Sequence, residues 1–122
     1  MACLMIVSGA QSGSCYPLRN RTLTAGRDPA RDIQILDPRV SRKHFQIRKE
    51  ASDYVVVGLR NANSVYVNGI KIAEKVLQDG DQIRVGNTLL MFLEYDEPDR
   101  SNALNKYKQA SREARDDQTI RD

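Results

Sequence analysis

The chain of 122 residues contains two cysteines and one histidine. That makes a poor zinc set, because a structural zinc site draws on about four Cys or His side chains. Cys3 and Cys15 are expected to stay reduced in a cytoplasmic protein, since disulfides are rare in that compartment. No apolar run approaches the roughly 18 residues of a membrane span. Met1–Val7 is too short, and lacks the basic start, for a secretory leader. Neither a G-x-G-x-x-G nor a P-loop pattern occurs, so no nucleotide cradle is expected. Aromatics are scarce, at five tyrosines and two phenylalanines. Nucleic-acid binders usually carry a dense Lys/Arg patch and exposed aromatics. Neither nucleic acid nor membrane is therefore expected as a partner, and no cofactor, metal or catalytic residue stands out.

What is present is a mildly basic body and an acidic tail. Residues 1–93 carry 13 Lys/Arg against 8 Asp/Glu, whereas residues 94–122 carry 6 against 8. This asymmetry suits an anionic partner. Hydrophobic residues make up 40% of the chain, and they thin out after Leu93, so the core is assigned to residues 1–93. Short β-type runs succeed one another there: 3–8, 15–18, 22–25, 33–35, 44–48, 54–59, 65–67, 70–72, 82–85 and 88–92. Turn residues separate them, among them Asp37-Pro38, Asn68-Gly69 and Gly86-Asn87. Asn68-Gly69, between Val-Tyr-Val and Ile-Lys-Ile, predicts a type I′ hairpin, because both central residues tolerate positive φ. Phe45 and Ile47 alternate with Gln46 and Arg48, and Ile83 and Val85 with Gln82 and Arg84, so one face of each run should be buried. The pattern predicts an all-β fold, an antiparallel sandwich of about ten or eleven short strands over residues 1–95.

Residues 96–122 are expected to form a polar linker and tail. Ser101–Arg115 is helix-favouring, with Leu104, Tyr107, Ala110 and Ala114 at helical spacing. That stripe is thin, so the helix is marginal, and Asp116–Asp122 reads as a polar, mobile end. The chain is expected to be the N-terminal piece of a longer protein.

Loops cluster at the ends of a sandwich, where functional groups sit on a rigid scaffold. Three loops here are rich in Arg, Ser and Asn: 26–32, 37–44 and 60–64. Guanidinium forks, hydroxyls and amides of this kind suit a phosphate dianion. Composition alone also allows ordinary solvated turns.

Order and spacing add to this. Gly26-Arg27, then Ser41-Arg42-Lys43-His44, then Asn63-Ser64-Val65-Tyr66-Val67-Asn68-Gly69 resembles the signature of the forkhead-associated (FHA) domain family. Asp79-Gly80-Asp81-Gln82-Ile83 with Val85-Gly86 is similar to that family's ending. The resemblance covers about residues 4–93. It implies that Arg27 grips a phosphate, that Ser41 donates to it and that Arg42 supplies another donor. It further implies that Asn63 bonds the backbone of a bound peptide. Arg39 falls where some members read the side chain three residues after the phosphothreonine. Gly26 and His44 would support the loops, His44 as architecture rather than in proton transfer. Two positions depart from the family. Ala62 stands where many members have a Thr or Ser donor, and Ser64 replaces the usual glycine.

The resemblance therefore implies a phosphothreonine-dependent peptide- or protein-binding module in Ser/Thr-kinase signalling, not an enzyme. The alternative, favoured by Ala62 and Ser64, is a phosphate-independent scaffold or self-association domain of the same fold. Thr119, followed three residues later by Asp122, makes the chain's own tail a further candidate ligand.

Overall fold

In the computed structural model, residues 2–9, 11–59 and 62–94 are described, and all their regular structure is strand. In chain order the strands are β1 (Cys3–Ile6), β2 (Cys15–Pro17), β3 (Leu23–Gly26), β4 (Ile33–Gln34), β5 (Phe45–Glu50), β6 (Asp53–Gly58), β7 (Val65–Val67), β8 (Ile70–Ile72), β9 (Glu74–Val76), β10 (Gln82–Val85) and β11 (Thr88–Leu93). They form a six-stranded sheet in the order β2-β1-β11-β10-β7-β8 and a five-stranded sheet in the order β4-β3-β5-β6-β9. The tail assigned to residues 96–122, with its helix and Thr119, lies outside the described residues.

The alternation read from the sequence selects the inner faces. Phe45 and Ile47 of β5 are buried while Gln46 and Arg48 are partly exposed. Ile83 and Val85 of β10 are buried while Arg84 is exposed. With Leu4, Ile6, Val56 and Leu90 they fill one core between the sheets. The hairpin at Asn68-Gly69 forms as expected, with φ of 51° and 83°. Asn68 also ties that hairpin to β10. Its Nδ2 donates to Asp81 Oδ1 at 3.0 Å, and its Oδ1 accepts from the Gln82 N–H at 2.9 Å.

Three features depart from a plain antiparallel, one-face-buried sandwich. First, β4 runs parallel to β3, with Ala25 opposite Ile33. Second, the sequence pattern does not mark β9. Glu74-Lys75-Val76 is a mostly exposed edge, so no buried face selects it, and it enters the sheet by pairing with β6. Third, β1 and β11 bury residues on both sides. Cys3, Met5, Val7, Met91 and Leu93 form a second apolar cluster separate from the core.

Candidate functional site

The site is built on a close approach of two loops at Gly26, the last residue of β3. A Cβ placed there would lie 2.1 Å from the Arg42 carbonyl oxygen and 2.9 Å from that of Ser41. Only glycine lets the backbones meet. The following residues continue the contact: the Arg27 N–H donates to the Ser41 carbonyl at 3.0 Å, and the Asp28 N–H to the Arg42 carbonyl at 3.3 Å. Arg27 Nε donates to the Val40 carbonyl at 3.0 Å. This anchors the exposed guanidinium by one donor and leaves its terminal amino groups without a partner among the described residues.

Ser41 links the second loop to the third. Its hydroxyl oxygen accepts the Asn63 N–H at 3.0 Å. The hydroxyl proton is thus left to donate elsewhere, as an oxygen with two lone pairs allows. Asn63 Nδ2 in turn donates to the Arg39 carbonyl at 3.0 Å. The structure therefore brings Arg27, Arg39, Ser41, Arg42 and Asn63 into one bonded set of loops. The Arg27, Arg39, Arg42 and Asn63 side chains are exposed.

His44 lies beneath them, fully buried. Its Nδ1 accepts the Ser41 N–H at 3.0 Å. Nε2, 3.1 Å from the Ser64 carbonyl, must then carry the proton and donate. One neutral tautomer is thereby fixed. Burial pushes the imidazole pKa below its ordinary value, only partly offset by the Ser64 carbonyl. The ring pins the second loop to the third without carrying charge.

In the sequence Asp37 is marked only as a turn residue. It is 6% exposed and satisfies three donors. Oδ1 accepts the Arg39 N–H, and Oδ2 accepts the Asn87 N–H and the Thr88 hydroxyl, each at 2.8 Å. Burial pushes its pKa up, but these bonds and the Arg39 charge prevail and hold the carboxyl below the ordinary range. Gly86, at φ +58°, makes room for the clamp, since a Cβ there would lie 3.0 Å from Asp37 Oδ2. No local signal exposes this set, because Asp37 and Thr88 lie 51 residues apart.

The two departures at the third loop are placed simply. Ala62 brings no side-chain donor, and its N–H bonds the Leu59 carbonyl. Ser64 is not among the described non-glycine residues with positive φ, which are Ala51 and Asn68. The turn therefore accepts serine without strain.

The rim is polar, convergent and short of acceptors, a setting for a small anion presented by an extended ligand. The chain is similar to several known proteins. Residues 5–96 match the family described as "Inner membrane component of T3SS, cytoplasmic domain". The glycogen accumulation regulator GarA of Mycolicibacterium smegmatis is 37% identical over 92 residues, covering 75% of this chain and 58% of its own. The chain spans 58% to 65% of the length of the first curated relatives it matches. An FHA domain solved in a structural and functional analysis of phosphothreonine-dependent FHA interactions superposes with a TM-score of 0.71 at 27% identity. It covers 79% of this chain and 98% of its own. Mycobacterium tuberculosis EmbR, solved with a low-affinity phosphopeptide, gives a TM-score of 0.72 at 31% identity, covering 80% of this chain and 25% of its own. The chain belongs to the forkhead-associated domain family.

Proposed function

We propose that the chain is a phosphothreonine-dependent binding module that reads the product of a Ser/Thr kinase and is not itself an enzyme. The observation that carries this reading is the state of the Ser41 hydroxyl. Its oxygen already accepts from the Asn63 backbone, so its proton is the one available for an incoming acceptor. The Arg27 guanidinium is anchored in the adjoining loop by Nε alone. A phosphothreonine brings close to two negative charges and three acceptor oxygens. Arg27 supplies a charge-assisted fork, Ser41 a neutral donor and Arg42 a second cation. Asn63 serves the peptide backbone through its remaining amide hydrogen and Oδ1. Arg39 selects an acidic side chain three residues beyond the phosphothreonine. Gly26 and His44 hold the loops in register. The relatives' association with phosphopeptides supports the same reading, as does the basic balance of residues 1–93. Because kinases draw on intracellular ATP, the setting is cytoplasmic.

The test is isothermal titration with a phosphothreonine peptide and its unphosphorylated twin. Binding of the phosphorylated form alone, lost in Arg27→Ala, is the expected result. Equal binding of the twins would replace the proposal by the second reading, a phosphate-independent scaffold. Ala62, which removes one donor from the rim, is the feature that favours that second reading.

A further inference from the structure

The outward face of the six-stranded sheet carries cations that the rim does not use. Tyr66 of β7 pairs with Lys71 of β8 on one side and with Arg84 of β10 on the other, and Arg84 pairs with Leu89 of β11. Paired residues share a face, and the alternate residues Val65, Val67, Ile83, Val85 and Leu90 belong to the core. Lys71, Tyr66, Arg84 and Leu89 therefore stand side by side on the outside, with Gln82 next to Arg84 along β10. None of these five side chains is acidic.

Tyr66, Gln82, Arg84 and Leu89 line a groove of about 410 Å³ together with the Asn68-Gly69 turn. Lys71 and Arg84 are exposed. The ion pairs among the described residues engage Arg21, Arg48 and Lys75, and neither of these two. Arg48, which faces outward from the other sheet, is by contrast neutralised by Glu50 and Glu74. An unpaired guanidinium keeps its five donors for a ligand. The Tyr66 ring, 37% exposed, and the half-buried Leu89 give the groove an apolar floor.

The groove is continuous with the rim. Tyr66 follows Asn63 by three residues, roughly 10 Å of extended chain. Gly86, just past β10, abuts Arg39, since a Cβ there would lie 3.0 Å from the Arg39 Cβ. Arg84 lies two residues, roughly 7 Å, back along the strand from Gly86.

We propose that Arg84 and Lys71, astride Tyr66, form an accessory subsite for carboxylates that follow the phosphothreonine by about five to eight residues. This rests on the reading of the rim given above, in which Arg39 meets the third residue. An extended peptide advances about 3.3 Å per residue, so beyond Arg39 it reaches Arg84 about two residues later. Lys71, two strands farther at about 4.8 Å per strand, comes about three residues after that. The occupant is peptide because the groove prolongs the path of the bound chain, and acidic because two unpaired cations face it with no carboxylate between them.

Titration calorimetry with two phosphothreonine peptides tests this. They are identical up to the third residue after the phosphothreonine and carry either glutamates or glutamines at about the fifth to eighth. The glutamate peptide should bind about three- to tenfold more tightly, as expected of two partly exposed ion pairs. Arg84→Gln combined with Lys71→Gln should remove that preference and leave the affinity for the glutamine peptide as it was. The Arg84 Nε–Hε signal should move further with the glutamate peptide than with its neutral counterpart. Equal affinities in the unaltered chain, or a preference that survives the double substitution, overturn the proposal. Unphosphorylated versions of both peptides separate the groove from the rim. If they bind as well as the phosphorylated ones, the reading of the rim fails, while the preference for glutamate and its loss in the double variant still decide the groove. Absence of binding by all four peptides overturns both.

Discussion

The Thr88 hydroxyl donates to Asp37 Oδ2 at 2.8 Å and joins the start of β11 to the loop that carries Arg39 and Ser41. The bond is buried, and the same carboxylate also holds the Arg39 and Asn87 N–H groups. The rim is thereby suspended from the six-stranded sheet.

Asp37→Ala should therefore cost about 1–3 kcal/mol of stability, since it strands buried donors. It should also weaken phosphopeptide binding although the Asp37 side chain is buried. Thr88→Val should lose less, and the double variant should fall short of the sum because the two share one bond. Chemical denaturation of all three variants checks this, and strict additivity would contradict the coupling.

Gly26→Ala introduces a Cβ against backbone rather than against a mobile side chain. Overpacking of this kind costs about 1–3 kcal/mol, and occasionally more. The loops of Arg27 and Ser41 should separate, so amide shifts at Arg27, Asp28 and Ser41 should change even where the fold survives.

His44 predicts a pH dependence. Its folded pKa is depressed below 6.5, so the unfolded chain binds the proton more readily. Stability is then complete above the unfolded value and declines as pH falls from about 6.5 toward the depressed folded value. Thermal unfolding without peptide, scanned from about pH 8 to 5, should show this fall. Because the chain has one histidine, His44→Gln should melt lower but stay nearly flat across that window. A wild-type profile without slope there would contradict a neutral, buried ring.

At the rim itself, Arg27→Ala should weaken phosphopeptide binding by about 1.5–3 kcal/mol, the value of hydrogen bonds to a charged group. Folding should be retained because the side chain is exposed. In the opposite direction, Ala62→Thr should tighten binding by up to about tenfold by restoring a donor. Titration calorimetry on each variant reads both effects.

What the sequence made legible was whatever is written locally. Asn68-Gly69 announces its hairpin because its dihedral demands belong to two adjacent residues. Phe45/Ile47 and Ile83/Val85 announce their buried faces because alternation has a fixed period. The ordered motifs single out Gly26, Arg27, Ser41, His44 and Asn63 in separate stretches of chain, and the structure joins those stretches by hydrogen bonds. Less visible was whatever depends on distant partners or on none. β9 has no apolar face to betray it. β4 takes a parallel neighbour that a two-residue strand cannot signal. Beyond the local Arg39 N–H, Asp37 acquires Asn87 and Thr88 only when its loop packs against the start of β11. The reason Gly26 must be glycine, a carbonyl from residue 42, is likewise invisible until the loops pack.

All four strands that end the two sheets, β2, β8, β4 and β9, are only two or three residues long. Each offers a stranger's backbone very few open hydrogen-bonding groups, and long flat borders are what seed strand-by-strand stacking between molecules. Strand-by-strand stacking is thus disfavoured even though β6 and β11 are rich in Val and Leu. Encounters between molecules are steered away from the sheet borders and toward the ends and faces, where side chains rather than backbone decide who binds.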